Sequence, residues 1–407
     1  MAVIAALSFI SCFLLASCGK AVDIGSMEYC FDTDMQYYQT TENNKTSIIQ
    51  ETADGCCLYH NGFVYRYSRS DGKIVPLCNK VNCLHDRETD SEKLNQCNAY
   101  LENLAENGKV VLMLYQNKLY VCYERGDWNY ASSIKYPYTL YSLPIDGSSR
   151  DQIYTGSDIL YPMIHRGYMY YYSTQYVSEE EGVNASFAFL RINIEKKNIK
   201  PELLYTPEKA LQSIGGYIQG YGKYVYFDSY MDGNASETGS SNASLARYDI
   251  TTGKIQKIDF VHTHPAFYNG RLYGRAPKEG ADVYNAVDVM SSDPDGANTV
   301  SAVKDIYQGS FVVSDGKYLY VNTGIIRLPY PEQENFFWVY DSDMNKVDEF
   351  TLPDTYSDRI DPPIGGEKYQ YLLFEDNGSG EWGIYVWDKS EIGTLHGKVY
   401  TQQRIVY

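Results

Sequence analysis

A short motif returns seven times along this chain: Asp-Gly or a similar turn pair, two or three residues, then an aliphatic residue followed by Tyr. It reads Asp54-Gly55-Cys56-Cys57-Leu58-Tyr59, Asn117-Lys118-Leu119-Tyr120, Arg166-Gly167-Tyr168-Met169-Tyr170 and Gly222-Lys223-Tyr224-Val225-Tyr226. The later copies are Asn269-Gly270-Arg271-Leu272-Tyr273, Asp315-Gly316-Lys317-Tyr318-Leu319-Tyr320 and a degraded Glu367-Lys368-Tyr369-Gln370-Tyr371. The closing tyrosines lie 61, 50, 56, 47, 47 and 51 residues apart. A repeat near 50 residues built of strands and turns predicts propeller blades.

A second motif follows the first in each unit, an apolar strand running into a polar turn. Examples are Val64–Ser68 before Asp71-Gly72, Leu140–Leu143 before Asp146-Gly147, Leu245–Asp249 before Thr252-Gly253, and Ile384–Asp388. Each unit thus offers two hairpins. Asp-Gly and Asn-Gly tolerate the positive φ of tight turns, and the Tyr- and Val-rich flanks suit pleated, half-buried strands. One four-stranded sheet cannot bury both its faces, whereas sheets stacked in a ring pack on one another. The expectation is an all-β protein, a single seven-bladed β-propeller over residues 46–407, with a β-sandwich array as the alternative. Sustained helical periodicity is missing after residue 50, a short stretch around Pro207 to Ile214 excepted.

The 407 residues carry 52 acidic and 35 basic side chains, net −17, spread along the chain in small runs such as Glu179-Glu180-Glu181. That field repels nucleic acid and anionic lipid head groups, so neither is an expected partner. Ordinary solubility accounts for most of it. The expected state is a monomer.

Met1 to Leu15 is an apolar run of signal-peptide length, short for a bilayer-spanning helix, and leads into Leu15-Ala16-Ser17-Cys18. This resembles the lipobox of bacterial lipoprotein signals, in which cleavage precedes the Cys and that Cys takes a diacylglycerol. The resemblance implies a signal over 1–17, lipidation of Cys18 and a tether over 18–45, with the protein held on the extracytoplasmic face of the cell membrane. Two or three acyl chains would be needed for a firm anchor. No Lys or Arg precedes the apolar run: either the leading region is atypical or the true start lies upstream. A buried apolar strand is the bland reading of the same residues.

With the repeat and the lipobox together, the chain resembles lipid-anchored propeller-repeat proteins of Firmicutes that carry a domain of unknown function, distantly similar to YWTD and TolB-type propellers. The most specific local match is Val75-Pro76-Leu77-Cys78-Asn79-Lys80-Val81-Asn82-Cys83-Leu84-His85-Asp86 with Cys97-Asn98-Ala99-Tyr100. The TolB likeness rests on Glu381–Asp388. The family implies a fold and a location, and no reaction.

Of nine cysteines, Cys12 leaves with the signal and Cys18 is the lipid acceptor, which leaves Cys30, Cys56, Cys57, Cys78, Cys83, Cys97 and Cys122. Seven cannot all pair within one chain. Cys78, Cys83, His85 and Cys97 have the residue types of a Cys3His structural zinc site, although the four-residue gap is wide and His85 lies close behind Cys83. One or two disulfides, or free thiols, are the alternatives. An insertion at about 78–100 without a core of its own needs such a staple. Cys56 and Cys57 point to opposite faces and read as structural.

Catalytic constellations are thin. His262 and His264 share a strand face, but Pro265 follows and no third ligand is near; surface histidines explain them better. Asp293-Pro294-Asp295-Gly296 reads as a hairpin turn, without the spacing of a sialidase Asp-box. No nucleophile elbow, P-loop or His-Glu-x-x-His occurs. Forty-two tyrosines, with clusters at Trp128-Asn129-Tyr130, Tyr136-Pro137-Tyr138 and Tyr168–Tyr172, suit recognition of sugars or peptides, although Tyr is also a good strand residue. The functional expectation is a non-catalytic surface binding or scaffold module for a glycan, a peptide or an envelope protein. The alternative is a secreted hydrolase or lyase acting on glycans through propeller-face acids.

Overall fold

The computed structural model describes residues 23–36, 48–101, 110–125, 138–176, 185–206, 218–231, 243–260, 263–277, 287–306, 312–322, 336–351, 364–365, 368–375, 381–398 and 403–404. Among them the strands form four-stranded antiparallel sheets, each made of four strands consecutive in sequence. The first holds Ile49–Thr52, Gly55–His60, Phe63–Ser68 and Lys73–Pro76. The second holds Val110–Tyr115, Lys118–Glu124, Tyr138–Pro144 and Asp151–Gly156, the third Leu160–His165, Tyr168–Tyr176, Ala185–Asn193 and Glu202–Tyr205. The fourth comprises Ile218–Tyr221, Tyr224–Met231, Ala243–Asp249 and Ile255–Ile258, the fifth Thr263–Tyr268, Arg271–Pro277, Val287–Ser292 and Val300–Ile306. The sixth comprises Val312–Ser314, Leu319–Asn322, Phe336–Tyr340 and Lys346–Thr351.

The chain does not build seven equal blades. Six sheets are full, while the last is two long strands, Tyr369–Glu375 and Trp382–Asp388, flanked by the two-residue strands Ile364–Gly365 and Gln403–Arg404. Residues 364–365 and 403–404 are all of those two strands that falls among the described residues. The architecture is an all-β propeller. The stretch Pro207 to Ile214 lies outside the described residues.

The motif tyrosines sit where the repeat requires. Tyr120, Tyr170, Tyr226, Tyr273 and Tyr371 are each the third residue of the second strand of their sheet, and Tyr59 and Tyr320 lie on the corresponding strands. All except the half-buried Tyr59 are buried, because second strands are interior to their sheets. The second motif falls in every case on the third strand.

Cores form between sheets. Met113, Tyr120 and Cys122 of the second sheet pack on Ile164, Met169 and Tyr171 of the third. Phe189 of the third stacks on Phe227 of the fourth at 4.2 Å between ring centres. Tyr221 stacks on Phe267 at 4.6 Å to join the fourth and fifth. Val289 packs with Val321, and Phe350 with Trp387 at 4.8 Å, to join the fifth, sixth and last. The last sheet then meets the first, Tyr371 lying edge-on to Tyr67 while its hydroxyl accepts from Arg69 Nη1 at 2.6 Å. Each fully buried ring contributes about 1.5–3 kcal/mol, and a stacked pair about 0.5–1.5 kcal/mol more.

First strands of neighbouring sheets lie side by side, which makes them the inner lining. Across their ends runs Asp23–Gln36, part of the region expected to be a free tether. It is docked: Thr33, Asp34, Met35 and Gln36 are buried. The polarity of this segment suggested disorder, but its backbone carbonyls and Asp34 are taken up by a buried arginine, Arg166, described below. Among the described residues no helix is long and apolar enough to cross a membrane.

Candidate metal centre

The outer strand of the first sheet ends at Pro76, and the chain leaves as an insertion that returns at Leu101. Its two ends are tied to the sheet: Leu77 N–H donates to Val64 O at 2.8 Å, Val64 N–H to Ala99 O at 2.8 Å, and Leu101 N–H to Gly62 O at 2.8 Å. Between them the backbone doubles back through Asn82 and His85, both at positive φ (64° and 54°), and His85 opens a 3-10 turn, His85–Arg87. A six-residue helix, Ser91–Gln96, follows; Asp90 caps it by accepting from the N–H groups of Glu92 and Lys93. The helix delivers Cys97 into the interior directly after its last turn.

This path gathers Cys78, Cys83, His85 and Cys97. Their sulfur and imidazole nitrogen atoms all lie within 4.8 Å of one another, and Cys97 Sγ stands 3.6 Å from His85 Nδ1. Tetrahedral zinc with bonds of about 2.3 Å to sulfur and about 2.0–2.1 Å to nitrogen needs donors about 3.5–3.8 Å apart. The set therefore fits such an ion with small adjustments. All described cysteines are free thiols.

The electrostatics suit metal ligands. Burial opposes the Cys78 thiolate, but backbone N–H groups of Lys80 and Asn98, with the Cys97 and Cys83 thiols, donate to it, and the net result lies below the ordinary thiol value. Cys97 is pushed up to about 12 by burial and by the neighbouring thiols, despite the Ala99 N–H. A cation at the centre would relieve that penalty. Burial lowers the His85 pKa, which favours the neutral imidazole that binds metal. In contrast, burial raises Cys56, Cys57 and Cys122 with no convergent partners, as in inert core thiols.

The supporting shell comes from the second sheet. Gly147, in the turn after Tyr138–Pro144, accepts at its carbonyl from Asn98 Nδ2 at 2.9 Å and from Asn79 N–H at 3.2 Å. Arg150 reaches back to the carbonyls of Tyr100 and, at 2.9 Å, Asn95. The cluster thus staples the first sheet to the second. Gly147 has φ of 72°, and a Cβ there would lie 2.8 Å from Cys78 N. Gly147→Ala is expected to lower stability by more than about 1 kcal/mol, as read by thermal unfolding.

The other sequence candidates lie away from this cluster or outside the described residues. His262 lies outside the described residues, as do Cys18, Trp128, Asn129, Tyr130, Tyr136 and Pro137; His264 lies on a strand, its side chain outside them. Tyr138 is buried in the core between the second and third sheets. Asp293–Gly296 is a hairpin turn, with Gly296 N–H donating to Asp293 O at 2.9 Å. Among the buried charged groups that the sequence reading missed are Arg166 and Lys389. Lys389 pairs with Asp315 across the sixth and last sheets, both side chains nearly inaccessible. Arg166 lies in an Arg-Gly turn and Lys389 opens the short 3-10 turn Lys389–Glu391, positions where a charged side chain looks routine.

No family model matches the chain, and no curated protein matches it. Among solved structures, the tricorn protease is similar with a TM-score of 0.50 and 8% identity over 89% of this chain and 34% of that one. The β-propeller domain of the trilobed protease from Pyrococcus furiosus gives 0.45 and 9% over 68% and 81%. TolB from Acinetobacter baumannii gives 0.40 and 14% over 83% and 75%. The chain spans about a third of the tricorn protease, and that likeness shows the propeller fold alone.

Proposed function

We propose that this chain is a lipid-anchored, extracytoplasmic, non-catalytic propeller that binds a glycan, a peptide or an envelope protein, and that Cys78, Cys83, His85 and Cys97 hold a structural zinc ion. The donor set carries the zinc reading. Four protein ligands close the tetrahedron and leave no position for a substrate water, so the ion would brace the fold and supply no chemistry. On this reading the last two long strands complete the ring as a seventh blade, the molecule is a monomer, and its net charge of −17 keeps it off nucleic acid.

Chain lengths between strands support the binding role. Connections from first to second strands are tight, such as 53–54, 116–117, 166–167 and 222–223. Those from second to third strands are long in six sheets, 125–137, 177–184, 232–242, 278–286, 323–335 and 376–381, and they leave from the other end of the strands. Long connections between strands of a rigid scaffold are the usual carriers of recognition, and the stretch 125–137 contains Trp128, Tyr130 and Tyr136.

Anchoring and binding are tested separately. Cys18→Ser should leave the ring folded and move the protein from the membrane fraction to the soluble one; sedimentation with membranes would refute the lipid anchor. The soluble form on glycan and peptide arrays should retain a ligand without turning it over. Turnover of an arrayed glycan would instead establish the hydrolase or lyase reading.

A further inference from the structure

Arg166 is a surface-type residue in a two-residue turn, yet its side chain is only 1% exposed. Every direction of its guanidinium is used by Asp23–Gln36. Nε and Nη2 hold the Asp34 carboxylate at 2.8 and 3.0 Å in a two-pronged pair. Nη1 donates to the carbonyls of Ile24 and Ser26 at 2.8 and 2.7 Å, and Nη2 to that of Glu28 at 3.0 Å. The segment is wrapped around one cation.

The remaining contacts come from the turns and inner strands of the sheets. Arg166 N–H donates to Thr33 O at 2.8 Å and Gln116 N–H to Asp32 O at 2.7 Å. Met35 N–H donates to Nδ1 of the buried His165, whose Nε2 faces Gly222 O at 2.7 Å, which sets the neutral tautomer with its proton on Nε2. The Met35 side chain fills a pocket with Met163, Tyr170, Ile218 and Val225. Gln36 pairs through its amide with the backbone of Glu51, at 3.0 and 3.3 Å. Met27 Cα packs so near Gly222 that a Cβ there would lie 2.8 Å away. The partners come from the inner strands and first turns of four successive sheets.

We propose that this end of the ring is a peptide-binding site, filled in cis by the chain's own Asp23–Gln36. Its chemistry selects a peptide that turns as residues 30–34 do, Asp34 N–H donating to Cys30 O at 2.8 Å, with a carboxylate for Arg166 followed directly by an unbranched apolar side chain for the Met35 pocket. Charge-assisted, bidentate contact with a desolvated guanidinium gives such a site its selectivity. The cis segment keeps other peptides out by mass action, and weakening it opens the site.

The test uses the full-length chain and a labelled synthetic peptide of residues 23–36. Asp34→Asn removes the charge from the cis segment and leaves the receptor intact. That variant should bind the wild-type peptide at least about tenfold more tightly than the unmodified protein does. Arg166→Met frees the same segment but destroys the receptor, so it should bind no peptide; a peptide carrying Asn in place of Asp34 should also fail on Asp34→Asn protein. Equal binding by the unmodified protein and Asp34→Asn, or binding by Arg166→Met, overturns the proposal. Should Asp34→Asn protein lose its circular dichroism signal, hydrogen exchange on the unmodified protein decides. Amides of 32–36 exchanging before the core strands support a separable ligand, and exchange only with global unfolding refutes it.

Discussion

Lys389→Met is expected to lower the unfolding free energy by about 3–5 kcal/mol, because it strips the counter-charge from a carboxylate that stays buried. The Asp315 side chain is 2% exposed; besides Lys389 it accepts from Tyr320 Oη at 2.5 Å and from the N–H groups of Lys317 and Tyr318 at 2.8 and 2.7 Å. Those donors hold the carboxylate in place after the lysine is gone, so the site cannot relax into water. Asp315 also helps to push the Tyr320 hydroxyl pKa far up, behind burial itself, so the phenol stays a proton donor. Chemical denaturation measures the loss. The double variant Lys389→Met/Asp315→Asn should be less destabilised than Lys389→Met alone, since it buries no net charge. A loss under about 1 kcal/mol in the single variant would show that water reaches the pair.

Cys97→Ser is expected to have the other large effect. Cys97 is 1% exposed at the end of the short helix, and its loss removes one of the four proposed ligands from an insertion whose helix buries none of its own residues. Structural zinc supplies about 10–16 kcal/mol of apparent binding free energy in small zinc peptides, so an insertion braced this way depends on its ion. The variant should retain no stoichiometric zinc and should be cut by protease within 78–101, while the later sheets keep their protection because propeller sheets contact chiefly their neighbours. Zinc retention and intact proteolytic resistance together would show that the cluster is dispensable.

The ring was legible because its information is local. Tyr120, Tyr170, Tyr226, Tyr273 and Tyr371 each follow a turn by a fixed number of residues, so one strand position repeats and the sheets follow from it. The weakening of the last repeat was also visible in the sequence, in Glu367-Lys368. The cysteine spacing picked out the four side chains that converge but left metal and disulfide open. The convergence depends on left-handed backbone at Asn82 and His85 and on Gly147 from the next sheet, none of which a spacing encodes. Least legible were the long-range charge pairs. Asp34 and Arg166 lie 132 positions apart, and a polar segment without periodicity gives no sign that a buried guanidinium waits for its carbonyls.

The most direct test of the central claim is X-ray absorption at the zinc edge on protein purified with zinc and without chelator, together with its metal content. The account predicts one zinc per chain, bound by three sulfurs at about 2.3 Å and one nitrogen at about 2.0–2.1 Å, with no oxygen neighbour. A metal-free protein in which Cys78, Cys83 or Cys97 is disulfide-bonded, or a zinc ion surrounded by oxygen, would contradict it.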